Sequence, residues 1–484
     1  MKKSAQILDN AINNNLKIAI YGDYDADGFC GLYCFKTMFD SIFYSNYICV
    51  PYTERTHNVD KNIRTVVMDT NIDLLLIVDT GSGEEDLEEL SILGFVSDVI
   101  VMDHHLLQYS VNELADSITL VNPTSLDNYP HLSGACVAYE VCIEYLSTYR
   151  PDKLKICKKY LTFLAFAALY SDSIYGNNSY CHKLYKEAQS SIPPSAFNYL
   201  QYYNPSKRFI LFSFAPPLNA CFRGEYFYIL NDLFLSKKTL TMLDRDKLIS
   251  DMQNIREYSR WVSDVLVAST HNSRSVLGNF TLVDLSGMLN QKIPNKHIWH
   301  NKGLVANRIA AEEENCCITI TSTGNRYTLS CRDYLGRDVY SLFKSFFKVG
   351  GHNSAFGGEL SYVEVIQLKE TLSNISNYLT EPQKRNVLKI DNPTFSELNE
   401  IADENEFRHE KDVVLVSIPR NKFEVKWTPE SFKDRFEQLV LNLGEKQVYI
   451  KKENVTDGQA RILIHFYKGR RLHGSIVSLK EEEH

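Results

Sequence analysis

The sequence predicts an α/β protein: a parallel-sheet first domain, a smaller α/β domain after it, and a β-rich C-terminal part. Three observations carry this reading. The runs Ile18–Tyr21, Leu74–Val78 and Val99–Met102 are short, apolar and rich in β-branched residues, the signature of strands buried on both faces. Each run is followed by an acidic residue, Asp23, Asp79 or Asp103. Between the runs the pattern switches to helical spacing, as in the apolar face Leu32, Phe35, Phe39 and Ile42 that follows Gly28.

In an open α/β sheet, ligands sit beyond the carboxyl ends of the strands. The segments Lys17–Gly28 (KIAIYGDYDADG), Leu74–Gly83 (LLLIVDTGSG) and Asp98–His105 (DVIVMDHH) therefore gather Asp23, Asp25, Asp27, Asp79, Asp103, His104 and His105 at one sheet edge. So many anionic oxygens repel one another unless cations intervene. Carboxylates with imidazoles suit Mn²⁺, Mg²⁺ or Zn²⁺, and no cysteine lies in these segments to make a thiolate zinc site. The acids are too many for one ion. Two ions sharing a bridging aspartate, about 3.5–4 Å apart, form the standard clamp for in-line attack at phosphorus. A single aspartate at a strand end usually caps a helix or a turn; three such clusters together do not read that way. The Asp-x-Asp-x-Asp-Gly run also looks like a calcium loop, but an EF-hand needs glutamate at its twelfth position, where this chain has Cys34.

Further elements follow in order. Residues 1 to about 195 alternate strand and helix, and the amino end of the helix after Gly28 offers N–H groups to anions near the predicted metals. Residues 175–203, with a Pro193-Pro194 pair, break regular structure. A charged helical stretch spans about 245–268. Strand-like alternation returns in Cys317–Thr321, Tyr327–Cys331 and Glu359–Val363. From about 385 the chain becomes mildly basic, with strand-like runs Asp412–Ile418, Gln447–Ile450 and Arg461–Tyr467. In His465–Gly474, rings and cations surround a glycine turn, a combination that holds single strands; the alternative is a basic hairpin that only completes a small domain.

The motif set resembles the DHH family of phosphoesterases, named for the triplet seen here as Asp103-His104-His105, and its RecJ-type branch of single-strand-specific exonucleases. Tyr21–Gly28 is similar to the first motif and Val78–Gly81 to the second. Leu161–Asp172 is similar to a fourth that supplies another metal-binding aspartate, Asp172. Leu120–Tyr139 is similar to the Asn-Pro and Ser-Gly region of RecJ-type chains. Downstream, Gly350-Gly351-His352 resembles the closing motif of the family's second domain, DHHA1, and Ser330-Cys331-Arg332 its phosphate-holding Ser-x-Arg element. Pro217–Arg223 (PLNACFR) resembles an interdomain stretch, although the family usually has arginine where this chain has Pro217. Lys302–Arg308 is a shortened form of a glycine-rich segment. The likeness covers about residues 15–365.

The resemblance implies a DHH catalytic domain over 1–205, a linker with a long helix over 206–270, a DHHA1 substrate-binding domain over 271–375 and a C-terminal domain over 385–484. Larger family exonucleases carry an oligonucleotide-binding barrel in that last position. It implies two ions, Mn²⁺ or Mg²⁺. Asp79 would bridge them, with Asp25 or Asp23 on one side and Asp27, His104 and Asp172 on the other. Asp103 would orient an imidazole, and His105 would join the metal ligands, contact the scissile phosphate or protonate the leaving oxygen. Arg55, Arg223, Ser330, Arg332, Gly350, Gly351 and His352 would hold substrate phosphates.

The implied activity is a metal-dependent exonuclease that shortens single-stranded DNA from the 5′ end and releases nucleoside monophosphates. Alternatives are a phosphodiesterase for dinucleotides or very short oligonucleotides, of nanoRNase or cyclic-dinucleotide type, and an inactive DHH-type DNA-binding partner. The first is favoured by length and the second by a net charge of −8, since nucleic-acid binders are usually basic at least locally. The third is disfavoured because every expected metal position holds a ligand. The partner expected is single-stranded DNA or a short oligonucleotide, with a single-strand-binding or repair protein as the implied protein partner. With 484 residues, two or three domains are expected. No apolar run is long enough for a bilayer, and residues 1–15 lack the apolar stretch of a signal peptide. Eleven scattered cysteines read as reduced thiols in a cytoplasmic protein.

Overall fold

The computed structural model describes residues 1–54, 58–59, 61–125, 132–172, 179–197, 210–236, 239–289 and 293–379, and beyond these seven strands between residues 387 and 478. Two compact units result: one runs from Met1 to Pro382 apart from two short inserts, and the other consists of those inserts with Gln383–His484.

The first unit opens with a five-stranded parallel sheet. Its strands are β1 (Ile18–Gly22), β2 (Tyr47–Cys49), β3 (Leu74–Val78), β4 (Asp98–Met102) and β5 (Ile118–Val121), in the order β2-β1-β3-β4-β5. Every residue of β1 and β3 is buried, as are four of five in β4, which is why these runs are continuously apolar rather than alternating. The chain leaves β1 toward one edge and returns through β3 toward the other. Right-handed crossovers then place helices on both faces, and the switch point falls between β1 and β3. The helices are α1 (Lys2–Asn13), α2 (Ala26–Ser41), α3 (Lys61–Thr70), α4 (Leu87–Val96), α5 (Gly134–Tyr149) and α6 (Pro151–Ser171). α2, α5 and α6 pack on one another, and α3 packs on α4.

Helix Ala215–Gly224 and the 28-residue helix Met242–Ser269 lead to a second sheet. Its strands are β6 (Ser275–Leu277), β7 (Phe280–Asp284), β8 (Cys316–Ser322), β9 (Tyr327–Asp333), β10 (Val349–His352) and β11 (Ala355–Leu360), in the order β10-β11-β9-β8-β7-β6. Two apolar clusters flank it. One includes Val262 and Leu266 of the long helix with Val305 and Ile309 of helix Asn295–Glu313; the other joins Phe343, Leu368 and Leu372.

The second unit contains β12 (Val387–Asp391), β13 (Val413–Ser417), β14 (Phe423–Trp427), β15 (Glu437–Leu443), β16 (Lys446–Lys451), β17 (Arg461–Lys468) and β18 (Leu472–Ser478). They form one mixed sheet ordered β12-β13-β17-β18-β16-β15-β14. The side chains of His465–Gly474 lie outside the described residues.

An aromatic cluster ties the first lobe to the connecting helices. Phe222 is fully buried and its ring lies 6.2 Å from that of Tyr24, 6.3 Å from Phe29 and 4.8 Å from Tyr52. Truncating such a residue removes its burial and leaves a cavity. Phe222→Ala is expected to lower unfolding stability by about 3–5 kcal/mol, read from the denaturant midpoint at unchanged slope; a loss within experimental error would show that the cluster is not a structural tie.

Candidate metal centre

The register of three strands builds the site. Gly22 of β1 pairs with Val78 of β3, and Val78 with Met102 of β4. The next residue of each strand is an aspartate, and the ladder runs one step further to hold it. Asp23 N–H donates to Val78 C=O (3.1 Å), Asp79 N–H to Met102 C=O (2.8 Å) and Asp103 N–H to Val121 C=O (3.2 Å). Asp23, Asp79 and Asp103 therefore stand in one row at the carboxyl edge. Asp79 turns out of the ladder with φ +69°, a left-handed conformation seldom taken by non-glycine residues and concentrated at functional sites.

Helix ends supply the rest. Asp25 caps α2, accepting from Asp27 N–H (2.8 Å) and Gly28 N–H (3.1 Å). Asp27 reaches the amino end of α5, where Gly134 N–H (2.8 Å) and Ala135 N–H (3.0 Å) donate to its two oxygens. That end favours an anion; even so, burial and then the Asp25 charge push Asp27 up to about 7. Asp172 is the C-cap of α6, the end that disfavours negative charge. Burial and the carboxylates of Asp27 and Asp25 raise it well above the usual range, against the opposing pull of His105 and of Arg332 from the second lobe. Asp79 is likewise raised by burial and then by Asp27, Asp25 and Asp23.

His104 stands among these acids. Its Nε2 lies 3.1 Å from Asp79 Oδ1, 3.5 Å from Asp172 Oδ2 and 3.7 Å from Asp27 Oδ2. His105 Nδ1 is 2.8 Å from Asp103 Oδ1. Burial opposes charge on both partners, but the pairing prevails: His105 rises to about 10 and Asp103 is held well below the usual carboxylate range.

The donor set fits divalent cations. Ligand atoms of Asp23, Asp25 and Asp79 lie within 4.8 Å of one another, as do those of Asp27, His104 and Asp172, and those of Asp79, Asp103, His104 and His105. Asp79 Oδ1 is buried and receives no hydrogen bond. Close backbone approach shapes the pocket: a Cβ on Gly134 would lie 2.6 Å from Asp79 Cβ, and one on Gly28 2.3 Å from Asp23 N.

Several positioning groups were not read from the sequence. Asn219 accepts a hydrogen bond from Ala26 N–H at 2.8 Å, so helix Ala215–Gly224 grips the first metal loop. Asn122 donates to Ser82 Oγ (2.8 Å) and to His105 C=O (2.9 Å). Asp86 accepts from Val59 N–H (2.8 Å) and Gly83 N–H (2.9 Å), and burial raises it to about 7. Asn219 and Asn122 lie inside segments that the family resemblance singled out, but their roles are set by tertiary contacts.

In the second lobe the register gathers the predicted phosphate holders. Gly350 pairs with Gly357 and Gly357 with Ser330; His352 pairs with Ala355 and Ala355 with Arg332. Gly350 and Ser330 thus share one row across the sheet, and His352 and Arg332 another. Gly351 pairs with Phe356 between them and has φ +135°. Arg332 donates to Cys331 C=O at 2.6 Å, and burial lowers its pKa against the opposing pull of Asp172. Arg223 sits on helix Ala215–Gly224, and its C=O is 2.6 Å from His300 Nδ1. Arg55 and the side chain of His352 lie outside the described residues.

Comparison with known proteins decides the family. A model described as the DHH family, N-terminal domain, matches residues 17–168. The first lobe belongs to the DHH family. The chain as a whole has a RecJ-like fold. RecJ from Thermus thermophilus in complex with Mn²⁺ is 17% identical at a TM-score of 0.73, covering 100% of this chain and 72% of that one. Its Mg²⁺ complex, also 17% identical, gives 0.66 with coverage of 100% and 70%. An exonuclease RecJ bound to manganese is 17% identical at 0.54, covering 79% of this chain and 95% of that one. No curated protein matches the chain by sequence. Among the described residues, no helix is long and apolar enough to cross a membrane, and all eleven cysteines carry free thiols.

The raised carboxylates give the metal-free protein a pH signature. Asp27 and Asp86 have folded values above their unfolded ones, so their contribution to stability is present in acid and is lost as pH rises through about 7. His105 acts in the same sense, at higher pH. Asp103, held low, contributes throughout the range above its unfolded value. With chelator present, Tm is expected to fall between about pH 5 and pH 8, and added Mn²⁺ should raise Tm more at the higher pH, because the ligands must be deprotonated. A Tm that climbs across this range without metal would contradict the clustering of acids.

Proposed function

We propose that this DHH protein is a two-metal phosphodiesterase that degrades single-stranded DNA exonucleolytically, 5′→3′, releasing nucleoside monophosphates. The observation that carries the reading is the pairing of two parts. A strand-end row of Asp23, Asp79 and Asp103 is completed by Asp27, His104 and Asp172, and Arg332 of the second lobe acts electrostatically on Asp172. The first part suits two cations and the second a phosphate between them.

Asp79 belongs with Asp23 and Asp25 on one side and stands 3.1 Å from His104 on the other, which supports the reading that both ions would share its carboxylate. When bound, the ions would lower the pKa of a coordinated water and offset charge on the phosphate oxygens. The chain's own groups do the remaining work. Arg332 and Ser330 hold a substrate phosphate by charge-assisted hydrogen bonds. The amino end of α2, capped by Asp25, keeps the first motif in place. Asp103 orients His105 through the 2.8 Å contact with its Nδ1, which presents the ring to a leaving oxygen or to the phosphate. Binding between the lobes through an entrance too narrow for duplex would select single strands by shape.

A second reading, hydrolysis of dinucleotides or very short oligonucleotides, is favoured by one observation, the net charge of −8. Rates on end-labelled single strands, duplexes and dinucleotides with Mn²⁺ separate the two: the exonuclease reading expects the single strand to be shortened stepwise from its 5′ end, and a preference for the dinucleotide would replace it with the second. Asp79→Ala is expected to remove Mn²⁺-dependent hydrolysis while retaining the fold by circular dichroism. Asp103→Asn, which loses only the orienting charge, is expected to lower activity about 10–100-fold. Undiminished turnover in Asp79→Ala would refute the bridging role.

A further inference from the structure

The edge strand beside the first metal loop leads to a tyrosine whose hydroxyl is buried and unbonded. β2 pairs with β1 as Cys49 with Ile20, and Val50 N–H donates to Ile20 C=O at 2.8 Å. Carried on at the same pairing, the two chains bring Tyr52 level with Asp23. Ring contacts agree: the Tyr52 ring lies 5.0 Å from that of Tyr24, the residue between Asp23 and Asp25. Tyr52 is 2% exposed, and among the described residues its hydroxyl has no hydrogen-bond partner. A buried tyrosine hydroxyl usually finds one, and a group left without one carries its full desolvation cost.

Everything else about Tyr52 is fixed. Asn231, 179 residues further along, grips its backbone on both sides: Tyr52 N–H donates to Asn231 Oδ1 (3.0 Å), and Asn231 Nδ2 donates to Tyr52 C=O (2.8 Å). Asn231 opens a turn of π-helix, Asn231–Leu235, a winding that is rare in proteins and frequent at functional sites. Phe222 meets the Tyr52 ring edge-on at 4.8 Å and 85°. Burial, then Tyr24 and then the Asp23 carboxylate raise the phenol well above its ordinary pKa, so it stays neutral and its oxygen can both accept and donate. A polar atom placed so firmly, and left open beside a group of carboxylates, suits a ligand that brings hydrogen bonds of its own. A hydrated divalent cation is such a ligand. It gives up its waters reluctantly to carboxylates, and groups outside the coordination shell orient what the ion holds.

We propose that Tyr52 is a positioning residue for the cation on the Asp23–Asp25 side of the centre, its hydroxyl oxygen accepting a hydrogen bond from water that the ion retains. The proposal rests on the two-metal reading of the site and deepens it by adding a group that bonds to neither ion nor substrate directly. The grip of Asn231 then has a purpose. A single hydrogen bond to retained water orients it only if the hydroxyl cannot drift, and an amide that holds the N–H and C=O of Tyr52 at once removes that freedom. Without the ion the hydroxyl stays buried and unbonded, so Tyr52 favours the loaded state over the empty one.

The test compares full-length wild type with Tyr52→Phe, by thermal unfolding in chelator and by calorimetric titration with Mn²⁺ alone. Phenylalanine keeps the ring contacts and removes only the hydroxyl. In chelator, Y52F is expected to unfold at the wild-type temperature or above it, because an unpartnered buried group has been removed. Its Mn²⁺ affinity is expected to be about tenfold weaker, and its gain in Tm at a fixed Mn²⁺ concentration smaller. A hydroxyl that served only the fold would instead lower the Tm in chelator. A lower Tm of Y52F in chelator, or Mn²⁺ binding equal to that of the wild type, would overturn the proposal; equal binding removes Tyr52 alone and leaves the two-metal reading intact. If the wild type itself neither binds Mn²⁺ nor gains in Tm from it, the two-metal reading falls and takes the proposal with it.

Discussion

Like charges confined in a space with little water dominate this molecule. Asp23, Asp27 and Asp79 are nearly inaccessible, and Asp25 and Asp172 act electrostatically on Asp79. A protein without cations can keep such a cluster only by protonating some of its members, and the raised values of Asp27, Asp79 and Asp172 express that demand. Everything around the cluster reads as a means of holding carboxylates where they would not otherwise stay. The strand ladder continues by one hydrogen bond to fix Asp23, Asp79 and Asp103. The amino end of α5 donates two N–H groups to Asp27. Asp79 accepts an unfavourable backbone conformation to point its carboxylate into the group.

The parts of this arrangement that the sequence made legible are those set by local chemistry. Buried parallel strands announce themselves as apolar β-branched runs, and a strand-end acid needs only the next position to declare itself. Asp23, Asp79 and Asp103 could therefore be placed on one edge from the chain alone. Asp172 was legible only through family likeness, since a lone aspartate after an apolar helix has no distinguishing pattern. Asn219 and Asn122 were not legible at all as positioning groups. Their partners, Ala26 and His105, lie 193 and 17 residues away, and an amide side chain carries no periodicity that reveals a distant contact. Asp86 falls in the same class: its sequence context is a short acidic turn, and its importance to Val59 and Gly83 arises from tertiary approach.

The second lobe follows a different logic. Its predicted phosphate contacts come from segments about twenty residues apart, yet antiparallel pairing places Gly350 in one row with Ser330 and His352 in one row with Arg332. Pairing register thus brings together what the chain separates. Helix Asn295–Glu313 supports this row from the side, with Gly303 as the point of contact with the arginine. The lobe contributes cationic and neutral donors and the first lobe contributes anions, and the two meet electrostatically where Arg332 acts on Asp172.

The grip of Asn219 on the Ala26 amide makes the loop that carries Asp23, Asp25 and Asp27 answerable to a helix leading toward the other lobe. Ion binding at the loop and the placement of that helix then act on a shared set of atoms, and whatever free energy one lends the other is returned equally. A cation that fixed the loop would, through that one hydrogen bond, also fix the helix that carries Asn219, so order at the ion site and order in the connecting segment are a single property.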